Sequence, residues 1–374
     1  MRIDRRQFLE RQLDKARAGS LVYVFVLAAL STAYRVLVQT RSKLYGWGLL
    51  PTKRLPFKVV CVGNITMGGT GKTPMVEYIA CALKSAGVRV AVLSRGYRGK
   101  HEKGLGVVSD GKALLLSGRE SGDEPYLLAR RLKEVPVLVG RDRYKSGEMA
   151  HRRFHTQVAI LDDGYQHIQL ERDMNILLVD GREGFGTAHV FPLGSLREPL
   201  TGLSRADHIL ITKTERTDRI RDIEKTLRRW NSGAEIFHGR TVPEYLLDPK
   251  TGQRHEPNSL QGKKVFAFAG LATPEYFFEL LRSLGAVLVG EIVFPDHHRY
   301  SEDDLDLIRK ITADAEWCVT TEKDIIRLAD LNCEGLPIKV LQIRTEISRQ
   351  KAFEEALFRG LEIKRMVTPG QRAS

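Results

Sequence analysis

A chain of 374 residues is long enough for two domains that each bury a hydrophobic core. Hydrophobic residues make up 42% of the sequence and charged residues 28%, which are ordinary proportions for a globular protein. The four cysteines have no Cys-x-x-Cys spacing, which argues against a disulfide framework and against a zinc site.

The N-terminal segment is strongly basic and contains an apolar run. Residues 1–58 hold twelve lysines and arginines against three acidic residues, a net charge of +9 out of +13 for the chain. The apolar run extends from Leu21 to Tyr34, which is 14 residues. A helix that spans a membrane usually needs roughly 20. We predict a helix that lies in or dips into a membrane surface, where arginines attract anionic headgroups. A buried helix is the alternative. Nucleic acid is not expected as a partner, because no recognised binding module occurs.

A glycine-rich stretch follows the apolar run Val59–Val62 and precedes a segment with helical periodicity. Glycines let backbone N–H groups approach phosphate oxygens, a lysine can reach the β- and γ-phosphates, and a threonine hydroxyl can bind Mg²⁺. The pattern predicts a loop that binds a nucleoside triphosphate; a plain strand-turn-helix is the alternative. The predicted phosphate-binding residues are Thr66, Met67, Gly68, Gly69, Thr70, Gly71, Lys72 and Thr73. Thr66 stands where the usual pattern has glycine, so we expect a differently built first turn.

The segment after Lys72 has the spacing of a helix with one buried face. Its apolar positions are Val76, Ile79, Ala80 and Leu83. Pro74 suits the first turn of this helix, and Gly87 can close its C-terminus.

Short apolar runs recur between helical stretches further along the chain. These runs are Val90–Leu93, Val137–Val139, Val158–Leu161, Ile176–Val179 and Ile209–Ile211. They predict a parallel sheet covered by helices on both faces, with ligands bound at the carboxyl ends of the strands. A polar stretch around residues 243–258 is interpreted as a linker, and a second α/β pattern starts at Val265. The last ten residues or so are expected to be frayed.

Three carboxylates stand where strand-end loops would meet a ligand. Asp162 and Asp163 end the apolar run that begins at Val158, where phosphate-loop enzymes place an acid beside Mg²⁺. Asp123 precedes an apolar-periodic segment and could be a helix N-cap or a base that accepts a proton from a hydroxyl. Capping of the following turn is the alternative for Asp162 and Asp163 as well.

Several cationic side chains follow the predicted strands or lie in turn-rich loops. Arg95, Arg143 and Arg197 could contact phosphate oxygens, although surface arginines are common. Glu198, next to Arg197, is a candidate Mg²⁺ ligand. His297 follows Asp296 and could relay a proton or be an ordinary loop histidine.

Taken in order, these segments resemble the tetraacyldisaccharide 4′-kinase family, also called lipid A 4′-kinase. The motifs that carry the resemblance span residues 59 to about 325. They are Val62–Asn64, Gly68–Pro74, Leu93–Tyr97, Gly122–Pro125, Leu161–His167, Pro192–Pro199, Phe268–Gly270, Asp296–His297 and Thr320–Asp324.

The resemblance implies a P-loop NTPase-like, doubly wound and mostly parallel α/β sheet, with a second, smaller α/β domain and an N-terminal membrane-associated helix. The corresponding domains would be residues 1–57, 58–245 and 246–374. It also implies transfer of the ATP γ-phosphate to the 4′-hydroxyl of a tetraacylated glucosamine disaccharide 1-phosphate. The reaction would occur at the cytoplasmic face of the bacterial inner membrane, and no obligate protein partner is expected.

The resemblance further implies a role for each matching residue. Asp123 would be the base for the acceptor hydroxyl, His297 its partner, and Lys72 a catalytic contact to the phosphates. The Mg²⁺ ligands and orienting carboxylates would be Thr73, Asp162, Asp163 and Glu198. The residues that position substrate and phosphates would be Arg95, Arg143, Gln166 and Arg197.

Two rival functions remain open from the sequence. A membrane-associated nucleotide switch could act through a partner protein, since Ile211–Glu215 faintly resembles a guanine-reading loop. No Asp-x-x-Gly follows Asp162, which leaves the switch little support. A soluble small-metabolite kinase would need neither the N-terminal segment nor lipid.

Overall fold

The computed structural model describes residues 21–363. The helices are α1 (Leu21–Gly46), α2 (Lys72–Ser85), α3 (Gly118–Ser121), α4 (Asp123–Arg131), α5 (Arg143–Phe154), α6 (Ile220–Trp230), α7 (Pro274–Ser283), α8 (Glu302–Ile311), α9 (Glu322–Arg327) and α10 (Gln350–Gly360). The strands are β1 (Lys58–Gly63), β2 (Val90–Ser94), β3 (Leu105–Ser109), β4 (Val137–Gly140), β5 (Val158–Asp162), β6 (Met174–Asp180), β7 (His208–Thr212), β8 (Glu235–Leu247), β9 (Arg254–His255), β10 (Lys264–Ala269), β11 (Val287–Val293), β12 (Trp317–Thr321) and β13 (Ile338–Ile347). The basic residues before Leu21 and the tail expected to be frayed lie outside the described residues.

The chain divides into two compact units. The first runs up to Arg240 and resumes at Thr345, and the second comprises Thr241–Arg344. The boundaries fall inside β8 and inside β13, so the chain passes between the units without a linker. The predicted domain limits of 1–57, 58–245 and 246–374 stay a prediction, and the two compact units differ from them because the chain from Thr345 onwards belongs to the first unit.

The first unit is built on a mostly parallel sheet, as predicted. Its strand order is β3-β4-β2-β5-β1-β6-β7-β8, and β3 is antiparallel to β4. Alternate residues of β1 enter two different cores: Val60 and Val62 pack with α2 and α4, whereas Val59 and Cys61 pack with α5 and α6. Helices therefore cover both faces, and the parallel strands bring their carboxyl ends to one edge.

The helix predicted after the phosphate-binding loop is confirmed as α2. Its positions Val76, Ile79, Ala80 and Leu83 are all fully buried. Gly87, just beyond its end, has a φ of 79°, a backbone conformation that glycine adopts without steric cost.

Helix α1 is longer than the apolar run predicted, and by length and composition it could cross a membrane. One narrow face contacts the rest of the first unit: Leu27 is buried, the Ser31 hydroxyl donates to the Val190 carbonyl at 2.8 Å, and the Tyr34 hydroxyl donates to the Arg197 carbonyl at 3.0 Å. The exposed side chains of the helix include the large apolar residues Val22, Phe25, Val26, Leu30, Val36 and Leu37. Since only 11% of its apolar window is buried, the alternative of a buried helix is not supported.

The second unit has its own parallel sheet, in the order β11-β10-β12-β13. Phe277 and Leu281 of α7 enter the core on one face, and Leu305 and Ile308 of α8 enter the core on the other. This α/β pattern was predicted from Val265 onwards.

Two features differ from the sequence interpretation. The stretch around residues 243–258 is not a linker, because β8 continues to Leu247 and pairs with β9; Leu246 is fully buried. Helix α10 was not predicted, and its Phe353 and Leu357 return to the core of the first unit. Helix α10 depends on contacts distant in sequence, which local composition does not reveal.

Candidate active site

The glycine-rich loop joins β1 to α2 at the carboxyl edge of the first sheet. Gly63 must be glycine, because a Cβ there would lie 2.7 Å from the Cβ of Tyr165. Gly68 and Gly71 have φ values of 116° and 81°, and Gly71 is the residue immediately before α2. The loop thus ends at a helix N-terminus, where unpaired N–H groups favour an anion.

The backbone pairing of Thr66 explains why the loop can have threonine where the usual pattern has glycine. It forms an isolated antiparallel bridge with Leu196, in which the Met67 N–H donates to the Ser195 carbonyl at 2.8 Å. The Arg197 N–H in turn donates to the Ile65 carbonyl at 2.7 Å. A residue in extended pairing needs no positive φ, so threonine fits where other loops have glycine. The bridge also fixes the Arg197 backbone beside the loop.

Lys72 is buried at the start of α2, and its ammonium group faces two polar partners. Nζ lies 3.4 Å from Asn64 Oδ1 and 3.6 Å from Asp163 Oδ1. Asn64 is held in turn by the Thr70 hydroxyl, at 3.0 Å. Burial lowers the pKa of Lys72, and the charge of Asp163 opposes that shift.

Asp163 forms an ion pair with Arg197. Nη1 of Arg197 donates to both carboxylate oxygens, at 2.8 and 2.9 Å. Burial alone would raise the pKa of Asp163, but the charges of Arg197 and Lys72 hold this pKa below its ordinary value. Asp163 has a φ of 51°, which is uncommon for a non-glycine residue and turns the chain directly after β5. An ionised Asp163 therefore places two cations together at the mouth of the loop.

Asp162 is the carboxylate with unused binding capacity. Its Oδ2 accepts a 2.9 Å hydrogen bond from Ser94, whereas the buried Oδ1 has no partner. Burial, followed by the charges of Glu124 and Asp163, raises the pKa of Asp162 to about 7. A buried carboxylate oxygen without a partner suits a divalent cation, which would offset the charge. Within residues 21–363, no group of three or more His, Cys, Asp or Glu side chains could hold a metal by itself. Mg²⁺ commonly takes one or two carboxylates together with substrate phosphates, so the partnerless Oδ1 of Asp162 fits this ion.

Glu198 is engaged within the protein. Both of its oxygens accept hydrogen bonds from Nη2 of Arg205, at 2.9 and 2.7 Å, and Oε1 also accepts from Nε2 of Gln166 at 2.9 Å. The same Gln166 nitrogen donates to the Asn64 carbonyl at 2.8 Å. Glu198 and Gln166 thus brace the loop backbone, which makes Glu198 a weaker candidate for a metal ligand than Asp162.

The two other predicted phosphate-binding arginines differ in burial. Arg143 is buried at the start of α5, its Nη1 donates to the Gly140 carbonyl at 3.2 Å, and its Nε has no partner. Burial lowers the pKa of Arg143 to about 10. Arg95, after β2, is half exposed and lies 3.3 Å from Glu102. Arg143 therefore has donor capacity at the site, while Arg95 is partly engaged with a neighbouring carboxylate.

Residues 23–362 match the model of LpxK, tetraacyldisaccharide-1-P 4′-kinase. The chain belongs to this family.

Relatives in the family cover nearly the whole chain. The tetraacyldisaccharide 4′-kinase of Desulfatibacillum aliphaticivorans is 41% identical over 348 residues, covering 90% of this chain and 93% of the relative. The tetraacyldisaccharide 4′-kinase of Syntrophus aciditrophicus is 42% identical over 342 residues, covering 89% of this chain and 91% of the relative. A crystal structure of LpxK from Aquifex aeolicus in complex with ATP has a TM-score of 0.73 and 33% identity, covering 90% of this chain and 99% of that one. The predicted family, fold class and kinase activity are confirmed, which favours a kinase over a nucleotide switch.

The two residues expected to act on the acceptor in this LpxK family member lie in different units. Asp123 begins α4 in the first unit; Gly122 precedes it as the cap residue, so the alternative that Asp123 is the N-cap is wrong. His297 lies in the second unit with a φ of 60°, and Nη2 of Arg327 is 3.3 Å from its Nδ1. Arg327 is held by the buried Asp324, at 3.0 Å. The pairing of Asp123 with His297 stays a prediction.

The site includes residues to which the sequence assigned no role. Asn64, Ser94 and Arg205 bind Lys72, Asp162 and Glu198 respectively. Asn64 and Ser94 belong to the family motifs, which was a usable signal. Arg205 ends a short 3₁₀ helix outside every motif, and only its fold-dependent proximity to Glu198 identifies it.

Proposed function

We propose that this LpxK family member transfers the γ-phosphate of ATP to the 4′-hydroxyl of a tetraacylated glucosamine disaccharide 1-phosphate. The observation that carries the proposal is the cluster of Lys72 and Arg197 around Asp163, beside a glycine-rich loop that ends at a helix N-terminus. Such a cluster can bind and neutralise a triphosphate. The family match supplies the acceptor class, and the related Aquifex structure in complex with ATP supports the donor.

The residues of the first unit would position the triphosphate. The loop N–H groups would bind the phosphate oxygens, and Lys72, Arg143 and Arg197 would supply cationic donors. Thr73 and Asp162 would hold Mg²⁺, which when bound neutralises phosphate charge. Because phosphoryl transfer needs alignment and charge neutralisation more than covalent participation by the protein, this set of residues suits the reaction.

Asp123 would activate the acceptor, with His297 as its partner. The 4′-oxygen would form a bond to the γ-phosphorus while the bond from that phosphorus to the β–γ bridging oxygen breaks. The proton of the hydroxyl would pass to the Asp123 carboxylate. ADP and the 4′-phosphorylated lipid would be the products.

The direct test uses ATP labelled at the γ-phosphate and the tetraacyldisaccharide 1-phosphate in detergent micelles, followed by thin-layer separation. We expect label in a lipid product with ATP and much less with GTP. An acceptor already phosphorylated at its 4′-position is the control and should take up no label. Release of inorganic phosphate without any labelled lipid would contradict the proposal and favour a nucleotide switch.

We further propose that the enzyme works at the cytoplasmic face of the inner membrane, held there by α1. Replacing Phe25 and Leu37 with aspartate should weaken sedimentation with anionic phospholipid vesicles at least about tenfold, because each exposed apolar side chain contributes roughly 1.5–3 kcal/mol on burial. Thr32→Asp combined with Thr40→Asp, at two exposed polar positions of the same helix, is the control for the two added charges. Equal vesicle binding by the Phe25 and Leu37 double variant and the control would show that α1 does not hold the enzyme on lipid.

Measuring activity as a function of Mg²⁺ concentration can distinguish Asp162 from Glu198 as the metal ligand. Asp162→Asn should raise the Mg²⁺ concentration for half-maximal activity by at least about tenfold, because it weakens the oxygen that has no protein partner. Glu198→Gln should lower activity but leave that Mg²⁺ concentration little changed, since Glu198 is hydrogen-bonded to Arg205 and Gln166. The reverse pattern would assign the metal to Glu198.

A further inference from the structure

The segment Ile211–Glu215, which resembled a guanine-reading loop, holds a buried ion pair at the ends of two neighbouring strands. Lys213 follows β7, Asp180 ends β6, and Nζ lies 2.5 Å from Oδ2. Their side chains are only 8% and 5% exposed. Asp180 is itself fixed, because its Oδ1 accepts hydrogen bonds from the N–H groups of Arg182 and Glu183. Buried charges are costly, so this pair calls for a structural or functional reason.

The pair is joined to the phosphate-binding loop through backbone carbonyls. Lys213 Nζ donates to the Gly69 carbonyl at 2.8 Å, and the Thr212 hydroxyl donates to the Thr70 carbonyl at 3.1 Å. Lys213 has a φ of 55°, a conformation that costs free energy in a lysine and is kept where the surroundings enforce it.

These carbonyl contacts fix the direction of the loop's donors. A trans peptide unit is planar, so its C=O and the N–H of the next residue point in opposite directions. Holding the Gly69 and Thr70 carbonyls toward Thr212 and Lys213 therefore turns the N–H groups of Thr70 and Gly71 to the other side of the loop. Those N–H groups are among the donors expected to bind phosphate.

We propose that Lys213 and Thr212, with Asp180 as the anchor of Lys213, are positioning residues that orient the Thr70 and Gly71 N–H groups and so set the affinity for ATP. They act through the loop backbone and touch no reacting atom. The inference rests on the proposed function only in taking ATP as the ligand of the loop.

The test compares ATP affinity with stability in the full-length enzyme. Lys213→Met should raise the KM for ATP by about tenfold and Thr212→Val by a smaller factor, because each removes a hydrogen bond that orients the loop. The KM for the lipid acceptor should change little. Lys213→Arg, which keeps the charge, should recover part of the ATP affinity lost in Lys213→Met. The control is Lys339→Met, which removes a similar ion pair, to Asp248 at 2.7 Å in the second unit.

Thermal unfolding with and without ATP separates the two roles. Lys339→Met should lower the Tm while leaving the KM for ATP unchanged. If Lys213→Met and Thr212→Val lower the Tm but leave the KM for ATP unchanged, Lys213 and Thr212 are merely structural and the inference fails. Should Lys213→Met not fold, Thr212→Val decides, since it leaves no charge unpaired. A wild-type enzyme that neither binds nor uses ATP would overturn the proposed function, whereas unchanged KM values in folded variants overturn this inference alone.

Discussion

Replacing Lys72 with alanine is expected to lower kcat by about 10³-fold, equivalent to roughly 4 kcal/mol of transition-state stabilisation. Lys72 is buried, and its ammonium group faces Asn64 and Asp163 at the start of α2. Among the described residues, Lys72 and Arg197 are the two cations that contact the Asp163 carboxylate. Without Lys72, only Arg197 remains there to neutralise phosphate charge. The measurement is single-turnover transfer of labelled phosphate at saturating ATP, with thermal unfolding to verify the fold.

Lys84→Ala is the matched control for this change. Lys84 lies in the last turn of the same helix, and its ammonium group pairs with the exposed Glu134 and the Lys133 carbonyl. Its loss removes the same charge and the same side-chain type without touching the loop. We expect a rate close to wild type. A Lys72→Ala enzyme as active as Lys84→Ala would remove Lys72 from the mechanism.

The parts of the fold that follow from local pattern were predictable. Short, continuously apolar runs identified β1, β2, β4, β5, β6 and β7, and the spacing of Val76, Ile79, Ala80 and Leu83 identified α2. The glycine-rich loop was recognisable because its chemistry depends on consecutive backbone groups. Helix α10 and strand β8 were not predicted: Phe353 is buried by partners far away in the sequence, and Leu246 packs in the core of the second unit.

The candidate site shows the same division. Motif spacing could bring Asp162 and Asp163 to the sheet edge, but it could not say which carboxylate has a vacant oxygen. That distinction depends on Arg197, Ser94 and Arg205, which come from separate loops and strands. The sequence therefore predicted which charged residues belong to the site. The role of each one depends on three-dimensional contacts.

Asp123→Asn should lower kcat by about 10²–10⁴-fold with little change in the KM for ATP, because asparagine keeps the shape of the side chain but cannot take the proton. The position of Asp123 is rigid: Gly122 before it has a φ of 91°, and a Cβ there would lie 2.6 Å from the Tyr97 carbonyl oxygen. Arg131 at the end of α4 pairs with Glu77 of α2 at 2.5 Å, which ties the helix of Asp123 to the helix of Lys72. Asp110→Asn, in an exposed turn, is the control.

The proposed partnership of Asp123 with His297 is tested by combining substitutions. If the two residues act as one unit, His297→Gln should lower kcat in the wild-type background and add little to Asp123→Asn, because the first loss already disables the pair. Two residues that act independently would instead give fold-losses that multiply. The three variants are compared by single-turnover transfer to the disaccharide acceptor. A multiplicative result would keep Asp123 as the base and assign His297 a separate contact with the substrate.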